Sequence, residues 1–82
     1  MKKVVVRLFA GARDALGGDE VLAQISLEGT VADLRRHLED AYPAASGLLR
    51  ASRVAVDREF AAEDDVIPER AEVALIPPVS GG

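Results

Sequence analysis

The chain has 82 residues, enough for one small domain. A net charge of −4 at pH 7 and 4% aromatic residues leave neither the basic footprint nor the stacking platform that nucleic-acid binding requires. The absence of cysteine excludes a disulfide framework, a thiolate metal site and a cysteine nucleophile. No signal peptide and no long apolar run are evident, so no membrane association is expected and the cytoplasm is the expected compartment. A hydrophobic content of 49% suits one core but leaves little room for a walled active site. Such a chain is expected to work by contact with other proteins.

"KKVVVRLFA" (2–10) reads as a strand, with Val4, Val6, Leu8 and Ala10 on one face and Lys3, Val5, Arg7 and Phe9 on the other. Lys3 and Arg7 mark the second face as wet, which leaves Phe9 among exposed residues. "GARDALGGDE" reads as a loop with at most a short helical turn. "EVLAQISLEG" alternates again, Val21, Ala23, Ile25 and Leu27 against Leu22, Gln24, Ser26 and Glu28. The short connection predicts an antiparallel pair.

"GTVADLRRHLEDAYPA" carries the clearest helix signal. Thr30 and Asp33 fit a capping pattern, and Val31, Leu34 and Leu38 recur at helical spacing as one apolar stripe. Pro43 ends the run, since the residue before a proline disfavours the helical region. A loose stretch follows through Ser46 and Gly47. "RVAVDREF" (53–60) then predicts a strand turning near Asp57, and the acidic "AAEDDVIPERA" a loop wrapping the sheet edge. "EVALIPPV" is the last strand, with Val73 and Leu75 on one face and Glu72, Ala74 and Ile76 on the other. Two strands, a crossing helix and further strands make an α+β layout. It is that of a β-grasp, ubiquitin-like roll, with a mixed sheet of four to five strands and one main helix packed across one face.

The chain closes on "PPVSGG" (77–82), and no charged side chain follows Glu72. Residues 1–76 are expected to form the folded body and 77–82 a flexible arm. Pro77 and Pro78 hold its base extended and remove two backbone donors. Gly81 and Gly82 carry no Cβ, so the end can thread a narrow slot in another protein.

Four stretches together, "VRLFAGARDALG", the capped helix, "VAVDREF" and "EVALIPPVSGG", resemble the ubiquitin-like sulfur carriers that include the small subunit of molybdopterin synthase. The likeness spans nearly the whole chain. It implies that the Gly82 carboxylate is adenylated by an E1-like partner enzyme using ATP, and converted to a thiocarboxylate by a sulfur-donor system. The sulfur then passes to cyclic pyranopterin monophosphate, building the dithiolene of molybdopterin. The chain is thus expected to be non-catalytic alone, to bind neither cofactor nor metal, and to serve a large catalytic subunit, two copies of each forming a heterotetramer. By the same resemblance Phe60 joins Phe9 and Ile76 in an apolar patch at the foot of the arm. Pro77, Pro78, Val79, Ser80 and Gly81 complete the partner-binding set. The family has Asn at Asp57 and Gly-Asp at Arg70-Ala71. A left-handed position without glycine costs about 1 kcal/mol, so that loop is expected to be reshaped.

Other features carry less. His37, beside Arg35 and Arg36, reads as a surface histidine, and Glu63, Asp64 and Asp65 as a solvated loop. "GARDALGG" lacks the lysine of a phosphate-binding loop. The alternatives are a carrier for thiazole, cysteine or tRNA thiolation, a modifier that forms isopeptide bonds through Gly82, and a plain interaction domain.

Overall fold

A computed structural model describes residues 1–78. In β1 (Lys2–Leu8) burial alternates strictly, with Val4, Val6 and Leu8 inward and Lys3, Val5 and Arg7 outward. The strand stops at Leu8. Ala10, expected on the core face, is exposed and takes φ 49° at the entrance to α1 (Gly11–Leu16), so the residue turns the chain instead of extending it. That short helix, where only a turn was expected, buries Ala12 and Leu16. It ends on Gly17, whose φ of 85° is a left-handed cap that glycine adopts without a Cβ clash. β2 (Glu20–Ile25) pairs antiparallel with β1, Val4 opposite Ala23 and Val6 opposite Val21. It ends two residues before Leu27, which is exposed rather than in the core.

α2 (Val31–Ala41) has the expected stripe of Val31, Leu34 and Leu38, all 1% exposed or less. Its first turn is closed on every side. The Asp33 N–H donates to Thr30 Oγ1 at 3.2 Å, and the Thr30 N–H donates to Asp33 Oδ2 at 2.9 Å, a full capping box. The Val31 and Ala32 N–H groups donate to the carbonyls of Asp65 and Glu63 at 3.0 and 2.9 Å. The acidic segment after β4 therefore lies against the helix N-terminus as well as the sheet. Within it Val66 bridges Thr30, and Ile67 is 1% exposed, a core residue hidden in a stretch that reads as polar.

The stretch after Pro43 is ordered helix, not loose chain. A 3-10 turn (Pro43–Ala45) leads into α3 (Ser46–Ala51), which buries Leu49 completely. Six residues with Gly47 among them are too few to display a helical stripe. The α3 C-terminus is held by Arg35, whose guanidinium donates to the carbonyls of Leu49 and of Ser52, the latter at 2.7 Å, and grips Glu63 with two further bonds of 2.8 and 2.9 Å.

β3 (Arg53–Val56) and β4 (Glu59–Phe60) form a hairpin about Asp57 and Arg58. β5 (Val73–Ile76) pairs antiparallel with β3 and parallel with β1. The sheet runs β2-β1-β5-β3-β4, with α2 across one face, as the β-grasp layout predicts. Arg70 sits at φ 65°, so the loop before β5 holds a left-handed position on a residue that has a Cβ. Lys2 is the unexpected core member. It is 4% exposed, and its ammonium donates to the carbonyls of Leu27 (2.9 Å), Gly29 (3.4 Å) and Ile67, tying the strand start to two loops.

Two outcomes follow from this packing. Leu34→Ala or Leu38→Ala should lower stability by about 2–5 kcal/mol in urea titration, as for buried leucines elsewhere. The bonds from Arg35 hold the Glu63 carboxyl below its ordinary value of 4.5. A depressed folded-state pKa contributes stability above the unfolded value and loses it as pH falls through the folded one. Thermal midpoints of Glu63→Gln should therefore fall less than those of wild type when pH is lowered from about 5 toward 3.

Candidate functional site

The face of the sheet opposite α2 carries no covering element. Register places Phe60 opposite Ala55, Ala55 opposite Ala74, and Ala74 opposite Arg7, a row straight across three strand boundaries. The two alanines make a low floor. Phe60 walls one side, and Phe9 and Ile76 the other, enclosing a cleft of about 320 Å³. The Arg53 guanidinium lies over the Phe60 ring, 3.6 Å from its centroid and within cation–π distance. Glu72 stands at the rim between Arg7 and Arg58, at 3.8 and 3.9 Å.

A second depression of about 470 Å³ adjoins the first. It shares Phe9 and Ile76 with it and continues over Leu48 to Pro77 and Pro78. The five expected contact residues that are described, Phe9, Phe60, Ile76, Pro77 and Pro78, thus lie along one apolar strip that ends at the root of the arm. Phe9 is 44% and Phe60 55% exposed, while Ile76 is half-buried. Val79, Ser80, Gly81 and Gly82 lie outside the described residues. The floor alanines and the arginines at the rim were not singled out from the sequence. Ala55 and Ala74 could have been found by aligning the outward positions of β3 and β5, but the Arg53–Phe60 contact depends on the hairpin register.

The strip offers apolar contact, not proton chemistry. Among the described residues no carboxylate pair, histidine or nucleophile lines it, and Glu72 bears the one carboxylate there. Elsewhere Glu63 is engaged by Arg35, and Asp65 Oδ2 accepts the Ala62 N–H at 2.9 Å. His37 lies with Asp33, Arg36 and Asp40 along the polar side of α2. Among the described residues no three histidine, cysteine or acidic side chains cluster as a metal site.

An apolar strip running to Pro77 and Pro78, four residues before the end of the sequence, narrows the comparison with known proteins. Residues 6–82 match the ThiS family. This chain belongs to that family. It is 38% identical over 80 residues to the molybdopterin synthase sulfur carrier subunit of Dictyostelium discoideum, with 94% of this chain and 93% of that one covered. The protein of the same name from Caenorhabditis briggsae is 34% identical over the full length of both. Among solved structures, SAMP1 from Haloferax volcanii superposes with a TM-score of 0.84 at 30% identity, covering 98% of this chain and 99% of the other. ThiS-family membership and the β-grasp fold therefore rest on the whole chain, not on its Gly-Gly end.

Because Phe9 and Phe60 face outward, Phe9→Glu and Phe60→Glu should leave unfolding midpoints in urea within about 1 kcal/mol of wild type. A loss as large as that of Leu34→Ala would place them in the core.

Proposed function

We propose that this chain is the sulfur-carrying subunit of a molybdopterin synthase. The observation that supports it most is the end-to-end match to carriers named for that role. The folded body, residues 1–76, acts as a handle. Its strip of Phe9, Phe60 and Ile76 docks on a large catalytic subunit, and residues 77–82 reach from the edge of that strip into the subunit's pocket. Two copies of each chain make the working assembly.

The chemistry belongs to the terminal carboxylate of Gly82, which is a poor electrophile until activated. An E1-like partner joins it to the α-phosphate of ATP, and pyrophosphate leaves. A hydrosulfide-equivalent nucleophile attacks the carbonyl carbon, the bond to the phosphate oxygen breaks, AMP departs, and a thiocarboxylate remains. That sulfur passes to cyclic pyranopterin monophosphate, and water restores the carboxylate. The body contributes no acid or base to these steps. It supplies the grip that places the arm, with Pro77 and Pro78 limiting the conformations at its base.

A second reading is favoured by one observation, the likeness to SAMP1, a small archaeal modifier protein. In it the activated Gly82 acylates lysines of other proteins. The two readings separate on products. With an adenylating enzyme, ATP and a sulfur source, a carrier replaces one terminal oxygen by sulfur, and accurate mass locates the change in the C-terminal peptide. A modifier yields a ladder of conjugates instead. Deleting Gly82, or adding one residue after it, should abolish sulfur transfer while hardly shifting thermal unfolding. One residue moves the carboxylate by about 3.3–3.6 Å, far more than an aligned attack tolerates. An extended chain that still becomes thiocarboxylated without trimming, and still supports pterin sulfuration, would refute the assignment to Gly82.

A further inference from the structure

The hairpin joining β3 to β4 turns on Asp57 and Arg58, both with positive φ, 50° and 72°. Two-residue turns of this kind favour Asn-Gly or Asp-Gly, because both central residues must enter a region where a Cβ is crowded. Asp57 suits its place. Aspartate tolerates the left-handed region, and its carboxylate accepts the Glu72 N–H at 2.9 Å. Among the described residues nothing does the same for Arg58. Its side chain is 88% exposed, and its one ion pair among the described residues is Nε to Glu72 Oε2 at 3.9 Å, a screened surface contact that adds little. Glycine would relieve the backbone and sacrifice only that contact.

The guanidinium does stand somewhere specific, on the rim of the cleft between Phe60 and Ile76. Glu72 is the only carboxylate lining that cleft, and it is shared with Arg7 at 3.8 Å. Arg53, over the Phe60 ring, has no carboxylate within 4.0 Å among the described residues. Arg58 is the one guanidinium lining the cleft among the described residues, with Arg7 and Arg53 at its margin. The surface is thus apolar at its floor, with the exposed Arg58 guanidinium on its rim.

We propose that Arg58 is a specificity-determining contact, held in a strained turn so that it meets a carboxylate on the partner. The partner's matching surface is an apolar side chain that fills the cleft, flanked by an acidic residue. This rests on the reading that a large subunit docks on the strip. Rim charges act mainly through encounter and salt-dependent attraction, whereas the apolar floor supplies contact that salt does not screen.

Calorimetric titration of the molybdopterin synthase large subunit with wild type, Arg58→Gly and Arg58→Lys, at low and high salt, tests this. Arg58→Gly should unfold at a higher temperature than wild type, yet bind about tenfold more weakly at low salt, with the gap closing as salt rises. Arg58→Lys, which keeps the charge in the same strained turn, should bind nearly as wild type does. An unchanged affinity for Arg58→Gly, or a loss equal at both salt concentrations, overturns the proposal while leaving the carrier reading intact. A wild-type chain that does not bind the large subunit at all overturns the carrier reading, and this proposal with it.

Discussion

The parallel pairing of β1 with β5 is the constraint on which the rest of the molecule depends. It sets Val6 beside Val73 and Leu8 beside Leu75, all four inward and no more than 3% exposed. Neighbouring parallel strands cannot be joined by a tight turn, so everything between them must be spent on a crossover. Here that crossover holds β2, α2, α3 and the β3–β4 hairpin. Because both strands run the same way, the end of β1 and the end of β5 fall at one edge of the sheet. Phe9 leaves one strand there, and Ile76, Pro77 and Pro78 leave the other. The apolar strip and Pro77–Pro78 are adjacent for this topological reason, with no long loop needed to bring them together.

The crossover is secured by polar contacts from two long basic side chains. The Lys2 ammonium is buried among three carbonyls, and Arg35 bonds two more carbonyls and both oxygens of Glu63. Each satisfies backbone acceptors where helices or loops end inside the fold, groups that would be costly if buried unpaired. These long side chains reach where no ladder partner exists. One consequence is that the acidic segment 61–72 is anchored at both ends of the crossover without secondary structure of its own. Its carbonyls in turn satisfy the first N–H groups of α2. Removing charge from this framework would therefore loosen several elements together.

The parts of the fold that were legible in the sequence are those with a period long enough to count. β1, β2 and β5 alternate over several residues, and α2 repeats its stripe between a capping box and a proline. α3 escaped because six residues span fewer than two turns, and Ile67 because a single apolar residue among charges has no pattern. Ala10 and Leu27 continue an alternation on paper that the backbone abandons, one at a left-handed turn and the other past the strand end. In the site, the outward place of Phe9 and Ile76 was readable from alternation alone, and that of Phe60 only through resemblance. The basic rim was not readable. It is assembled from strands far apart in the chain, and its most telling feature, the positive φ of Arg58, is a property of backbone.

This division has a consequence for how such a protein can change. Inward positions answer to one another across the sheet, so substitutions there are tested by folding. Outward positions on β3, β4 and β5 are covered by no further element among the described residues, so substitutions there are tested less by folding than by what meets that face. In the proposed role, a carrier must still be told apart by its partners, and two terminal glycines without side chains offer little by which to do so. Discrimination has to come from the face beside the arm. An apolar floor gives affinity with little selectivity, since apolar contacts tolerate many shapes. Charge at the rim adds the selective part, because a wrong partner leaves a guanidinium facing like charge or an apolar surface. On this account the strained Arg58 turn and the stable core are complementary. The core carries enough stability for one turn to be set by recognition and not by folding.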